Sequence, residues 1–146
     1  MYIAAYGSDT GLTNANGTGL STVIRAILKD VPDLARLRLS SLDPARLDDA
    51  FFDVLAHQPR LMPHLHLSLQ AADDMVLKRM KRRHSVANVR AVVERARAVR
   101  PNVVFGADLI AGFPTETDAM FATTLSKDRK STRLNSSHIT TSYAVF

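Results

Sequence analysis

The 146-residue chain contains no cysteine. That excludes disulfides, and it excludes any metal site built on thiolates from these residues. No apolar run approaches the roughly 20 residues of a membrane-spanning helix. The start shows no basic stretch followed by an apolar one, so secretion is not indicated and a cytoplasmic setting is the default. What is present is ordinary for a folded domain: 46% hydrophobic and 23% charged residues, within the globular range. The length suffices for one domain with a real core.

The charge is unevenly placed. The net value is +5, yet Lys78 to Arg100 alone carries nine Lys or Arg against the single acid Glu94, a local balance of +8 that leaves −3 for the rest. A basic segment in an otherwise mildly acidic chain is a footprint expected for phosphate contacts; a solvated helix face is the plainer reading.

The segment grows out of the most patterned stretch in the chain, Leu61 to His84. Leu65, Leu67 and Leu69 alternate with His64, His66, Ser68 and Gln70, the period of a strand. An apolar back with a polar front is what a (β/α) barrel strand shows where the interior opens toward a site. After Ala71-Ala72-Asp73-Asp74 the chain turns helical and ends in Lys78, Arg79, Lys81, Arg82 and Arg83. Polar strand and positive patch together suggest an anionic ligand near a strand's C-terminal end.

Around this stretch the elements alternate. Met1 to Tyr6 reads as a strand end, and Gly7 to Gly19 as a Gly/Asn/Thr-rich loop. Leu20, Val23, Ile24, Ile27 and Leu28 fall at helical spacing, so residues 20–30 form an amphipathic helix that Pro32 ends. Arg36 to Ser41 alternates as a strand. Asp43-Pro44 starts a helix buried through Leu47, Phe51, Val54 and Leu55. A short helix spans about Asp73 to Met80. Ser85 caps another, lined by Val86, Val89, Val93 and Ala96. Val103 to Gly112 is a largely apolar strand, as in a buried parallel sheet, and residues 116–125 start a further helix. The order predicts an α/β fold of about four parallel strands. Four strands cannot close an eight-stranded barrel, so the expectation is an open sheet or a partial barrel over residues 1–127.

From Asp128 to Phe146 the character changes. This Ser/Thr/Asn-rich end continues no period and is expected to be a disordered tail. Its stretch DRKSTRLNSSH, followed after a gap by SYAVF, resembles one reading frame of a common sequencing adapter translated as coding DNA.

Two motifs carry chemistry. His64-x-His66 on a strand could pair on a metal, as in barrel hydrolases, but no third and fourth ligand is evident and no metal site is assigned. Gly106-x-Asp108-x-Ile110-x-Gly112, followed by Phe-Pro-Thr-Glu, places glycines on one strand face. There a flat ligand can approach the backbone. Asp108 in that row either contacts a ligand or pairs with a buried arginine.

HLHLSLQAADDMVLKRMKRRH and FGADLIAGFPTET closely resemble the radical S-adenosylmethionine methylthiotransferases. The form HLHLSLQ, with RLRLSSLDP and IAAYG, is most similar to the group acting on threonylcarbamoyladenosine in tRNA. The likeness spans about Ile3 to Leu125. It implies a radical SAM barrel in which Ser68 and Gln70 at one strand end, and Gly106, Asp108, Ile110 and Gly112 on the next, line an S-adenosylmethionine site. Lys78, Arg79, Lys81, Arg82 and Arg83 would meet tRNA; Arg82 matches a position held by Arg in the family. No protein partner is indicated. The implied parent reaction cleaves S-adenosylmethionine reductively, abstracts hydrogen from an adenine carbon, and inserts and methylates sulfur.

There are departures. Ala72 stands where the family usually has Gly, and Tyr2 where Asp is common. The family's radical-generating [4Fe–4S] cluster sits on a C-x3-C-x2-C loop, for which this sequence supplies no cysteine. The resemblance therefore implies a fragment that lines the cofactor site without holding the cluster. Two rival readings stay open: a metal hydrolase using His64 and His66, and a non-catalytic RNA-binding fragment driven by the basic segment.

Overall fold

The computed structural model describes the backbone of residues 2–3, 19–132 and 139–143, and the side chains of residues 19–126. Most of the expected loop at Gly7 to Gly19 and part of the expected strand at Met1 to Tyr6 lie outside the described residues.

Five parallel strands form one sheet in the order of the chain: β1 (Tyr2–Ile3), β2 (Leu37–Leu42), β3 (Leu61–Gln70), β4 (Val104–Ala111) and β5 (Ile139–Tyr143). Parallel neighbours need crossovers, and helices supply them: α1 (Leu20–Asp30), α2 (Asp49–His57), the pair α3 (Asp74–Arg79) and α4 (Val86–Val99), and α5 (Asp118–Thr132). Each strand lies beside its predecessor in sequence, the topology of an opened (β/α) barrel.

The helix starts follow from local chemistry. Asp73 accepts from the Met75 and Val76 backbone N–H groups, at 2.9 and 3.1 Å, to start α3. Ser85 and Asn88 form a reciprocal capping box at α4. The helix expected at Asp43-Pro44 divides in two. Asp43 caps only a 3-10 turn, Pro44–Arg46, and Asp48 then starts α2 by accepting from Phe51 N at 2.8 Å. A second N-capping aspartate five residues on allows the chain to turn before the longer helix forms.

One face of the sheet carries the core. Leu37, Leu39, Leu61, Leu65 and Leu67 pack with Ile24 and Leu28 of α1, Phe51, Val54 and Leu55 of α2, and Val92 and Ala96 of α4. Leu65 is wholly buried, and truncating such a side chain to alanine costs about 2–5 kcal/mol. By the two-residue period, the opposite face receives the polar partners of these leucines.

That period breaks in defined places. Between Leu37 and Leu39 on β2, β3 advances from Leu61 to Leu65; Pro63, without an N–H to donate, stands in this irregular step. Farther on, Leu39 to Leu42 faces Leu65 to Leu67, and Leu67 to Gln70 faces Ala107 to Leu109. Each is a one-residue bulge, and each contains a residue in the left-handed region, Ser41 (φ 54°) and Gln70 (φ 68°). Bulges of this kind bend a strand and re-aim its end, here at the C-terminal edge of two adjacent strands.

The expected partial barrel of about four parallel strands is present as β1 to β4, and further elements follow it. Helix α5 crosses residue 127 and continues to Thr132, and Ile139–Tyr143 pairs with β4 from Ala107↔Ile139 to Ala111↔Tyr143. The physical reason is the free edge that β4 would otherwise present, which a short β-prone segment can occupy. Residues 133–138 and 144–146 lie outside the described residues.

Candidate functional site

The sheet face opposite the core brings β2, β3 and β4 together through their polar positions. Gly106 stands opposite His66 in the β3–β4 register. A Cβ added to Gly106 would lie 2.9 Å from His66 Cδ2 and 3.8 Å from the His64 ring. Both imidazoles therefore lie over a strip of bare backbone on β4. Farther along that strand, Asp108 Oδ1 stands 3.6 Å from His66 Nε2, a contact too long for a hydrogen bond and one that becomes ionic when His66 is protonated. Ile110, the next residue in the row, is half-buried.

His64 sits lower on the same face, and its pKa falls below the ordinary 6.5. Partial burial is the main cause; the positive charge of Arg38 on β2 comes second and His66 third. Arg38 thus faces the same surface. Two histidines do share a face, but a guanidinium beside them opposes a metal ion, and no group of three His, Asp, Glu or Cys among the described residues could hold one.

The upper edge is less regular. Ser68 lies within the bulge and is half-buried. Gln70 follows it, pairs with Leu109 instead of continuing the His64–His66 alternation, and turns into the left-handed region. Gly112 ends β4 with φ 78°, a conformation that a side chain would strain.

Two residues that hold this edge were not singled out from the sequence. Glu116 Oε2 accepts from Gly112 N at 2.7 Å and Phe113 N at 3.3 Å, closing the turn after β4. Arg79 Nη1 grips the same turn from outside, donating to Thr115 O at 2.6 Å. The second residue is His84, almost fully buried. Its Nε2 is 3.2 Å from Leu69 O, and because a carbonyl only accepts, that nitrogen carries the proton. Its Nδ1 lies 3.7 Å from Asp43 Oδ1. His84 thereby ties the kinked end of β3 to the turn after β2. The signals were a Glu four residues after Gly112 and a His closing the basic run, but neither spacing declares its partner.

The basic segment divides by role. Arg95 pairs with Asp49 Oδ1 at 2.6 Å and lies 4.2 Å from the Phe52 ring centroid. Arg97 covers Phe105. Arg100 donates to the carbonyls of Leu55 and Gln58 at the end of α2, the favourable position for a cation on a helix. Arg79 is committed to Thr115. Lys78, Lys81, Arg82 and Arg83 are exposed and make no ion pair among the described residues.

No helix among the described residues is long and apolar enough to cross a membrane. Comparison with known proteins gives a consistent result. The profile of the Radical SAM superfamily matches residues 16–127. The chain is 51% identical over 122 residues to the threonylcarbamoyladenosine tRNA methylthiotransferase of Rickettsia prowazekii, covering 84% of this chain and 28% of that protein. It is 37% identical over 123 residues to a tRNA-2-methylthio-N(6)-dimethylallyladenosine synthase of Cereibacter sphaeroides, covering 84% and 28%. The corresponding synthase of Acidithiobacillus ferrooxidans is 40% identical over 123 residues, with 84% and 27% covered. The chain thus spans little more than a quarter of the length of these relatives.

Proposed function

Because the chain belongs to the Radical SAM superfamily, we propose that it forms the cofactor-facing part of a cytoplasmic tRNA methylthiotransferase acting on threonylcarbamoyl-modified adenosine. The observation that carries the reading is the bare strip at Gly106, with His66 above it and Asp108 beside it. The imidazole of His66, lying where a side chain at 106 would stand, offers a flat face against which an adenine or ribose can lie.

The residues fit S-adenosylmethionine, which when bound supplies a sulfonium with a cleavable carbon–sulfur bond. Ser68 and Gln70, at the bulged end of β3, offer hydroxyl and amide groups. Asp108 offers a carboxylate acceptor beside His66. Gly106 and Gly112 let backbone groups approach the ligand, and Ile110 covers its apolar part. Glu116 keeps the Gly112 turn closed, and His84 keeps the end of β3 in place. Lys78, Arg79, Lys81, Arg82 and Arg83 follow β3 at the same end of the sheet, where tRNA phosphates would pass.

An iron–sulfur cluster is different. With no cysteine among 146 residues, this chain cannot provide the thiolates that such clusters require. The tail from Asp128 is proposed to be foreign to the barrel. The superfamily match ends at residue 127, which supports that boundary.

Equilibrium dialysis of the purified chain against labelled S-adenosylmethionine tests the reading. Retention is expected, with Asp108→Asn weakening it about tenfold, the loss of one charged acceptor. Equal binding by both proteins, or none by either, would overturn it. Iron and sulfide reconstitution should yield no iron–sulfur absorbance.

A further inference from the structure

A second concave site lies on the helix side of the sheet. It is bounded by the Pro44–Arg46 turn, by Leu47 and Phe52, by Arg83 in the loop before α4, and by the outer face of α4. Its volume is about 410 Å³, within the ~300–1,000 Å³ usual for small-molecule sites. Both walls are built from the segments that follow β2 and β3, so the cleft belongs to the outer rim of the end at which those strands finish.

The polar side chains lining it are all donors. Arg83 contributes an exposed guanidinium. Asn88 has its Oδ1 occupied by Ser85 N and Ser85 Oγ, both at 2.8 Å, so only its amide N–H groups remain for a ligand. Arg95 is held between Asp49 and the Phe52 ring, and its side chain remains about half exposed. Leu47, Phe52 and Val92 supply the apolar wall. Donors alone select an anion, and a held guanidinium plane is a surface on which a base can stack. The exposed cations Lys78, Lys81 and Arg82 continue from Arg83 along the chain, a spacing suited to a polyphosphate backbone.

We propose that this cleft seats one phosphodiester-linked nucleotide of an RNA, apart from the cofactor face. The proposal rests on the reading of an RNA substrate given above. An acidic peptide could pair with Arg83, but it would leave the Arg95–Phe52 plane without a stacking partner.

The test uses the full chain, a fluorescently labelled oligoadenylate at low salt, and three variants. Ala91 is an exposed lining residue on α4, so Ala91→Glu places a carboxylate in the cleft without disturbing the core, and Ala91→Gln controls for size. Arg83→Gln removes the free guanidinium. Ala91→Glu and Arg83→Gln should each weaken binding about tenfold, and Ala91→Gln by no more than about twofold. For Arg83→Gln the slope of log affinity against log salt should fall by about 0.7, one single-strand phosphate contact. Equal binding by wild type, Ala91→Glu and Arg83→Gln would overturn the cleft assignment while leaving the RNA reading intact. Failure of the wild type to bind oligoadenylate, whether or not polyglutamate binds in its place, would overturn both.

Discussion

Gly106 and His66 face one another across β3 and β4 so closely that a methyl on the first would stand 2.9 Å from Cδ2 of the second. The absence of a side chain at 106 is what admits the imidazole to the polar face. Gly106→Ala should therefore force a shift costing about 1–3 kcal/mol, as overpacking does. Urea denaturation of Gly106→Ala, His66→Ala and the double variant checks this. The double variant should be more stable than the sum of the single effects implies; strict additivity would mean that the two sites do not touch in solution.

His64 makes the same face sensitive to pH. Its pKa is lowered, chiefly by burial and next by Arg38, so the unfolded chain binds a proton there more readily than the folded one. Stability from this group is present above about pH 6.5 and is lost as pH falls through the folded value. Arg38→Gln should move the His64 titration upward toward 6.5 and flatten that pH dependence. Imidazole NMR titration reads the first effect and thermal melts across acid pH the second. An unmoved titration would remove Arg38 from the polar face.

His84 serves the edge rather than the ligand. His84→Phe leaves Leu69 O without its donor in a buried place, a loss of about 1–3 kcal/mol. His84→Gln, which can still donate, should recover part of it. Chemical denaturation distinguishes these cases, and equal losses in both variants would assign His84 to packing alone.

Truncation after Lys127 removes the end of α5 and all of β5. If the tail was never matched to this core, midpoints should change by less than about 0.5 kcal/mol, as for surface changes without a specific mechanism. A loss of several kcal/mol would show that the β4–β5 pairing belongs to the native fold.

Much of the scaffold was legible because its signals are local. The helix over residues 20–30 coincides with α1, and the Ser85 cap and the alternation of Leu65 and Leu67 all appear. The polar face could also be anticipated, since His64, His66, Gly106 and Asp108 fall in phase on their own strands. Gln70 shows where that logic stops. A one-residue bulge takes it out of phase, and a bulge depends on how two strands register, which neither sequence states alone. Glu116 and His84 were passed over for a related reason, because their partners are backbone atoms and turn residues fixed only by the fold. The basic segment was legible as charge but not as role: Arg95, Arg97 and Arg100 serve rings, an aspartate and carbonyls.

Amide NMR of the labelled chain during titration with S-adenosylmethionine tests most directly whether the face shared by β3 and β4 lines an S-adenosylmethionine site. Shifts should cluster at Ser68, Gln70, Gly106, Asp108, Ile110 and Gly112 while Leu28 and Val54 in the helix-side core stay unmoved. Shifts confined to α4 and the Pro44–Arg46 turn, or no saturable shifts at all, would contradict it.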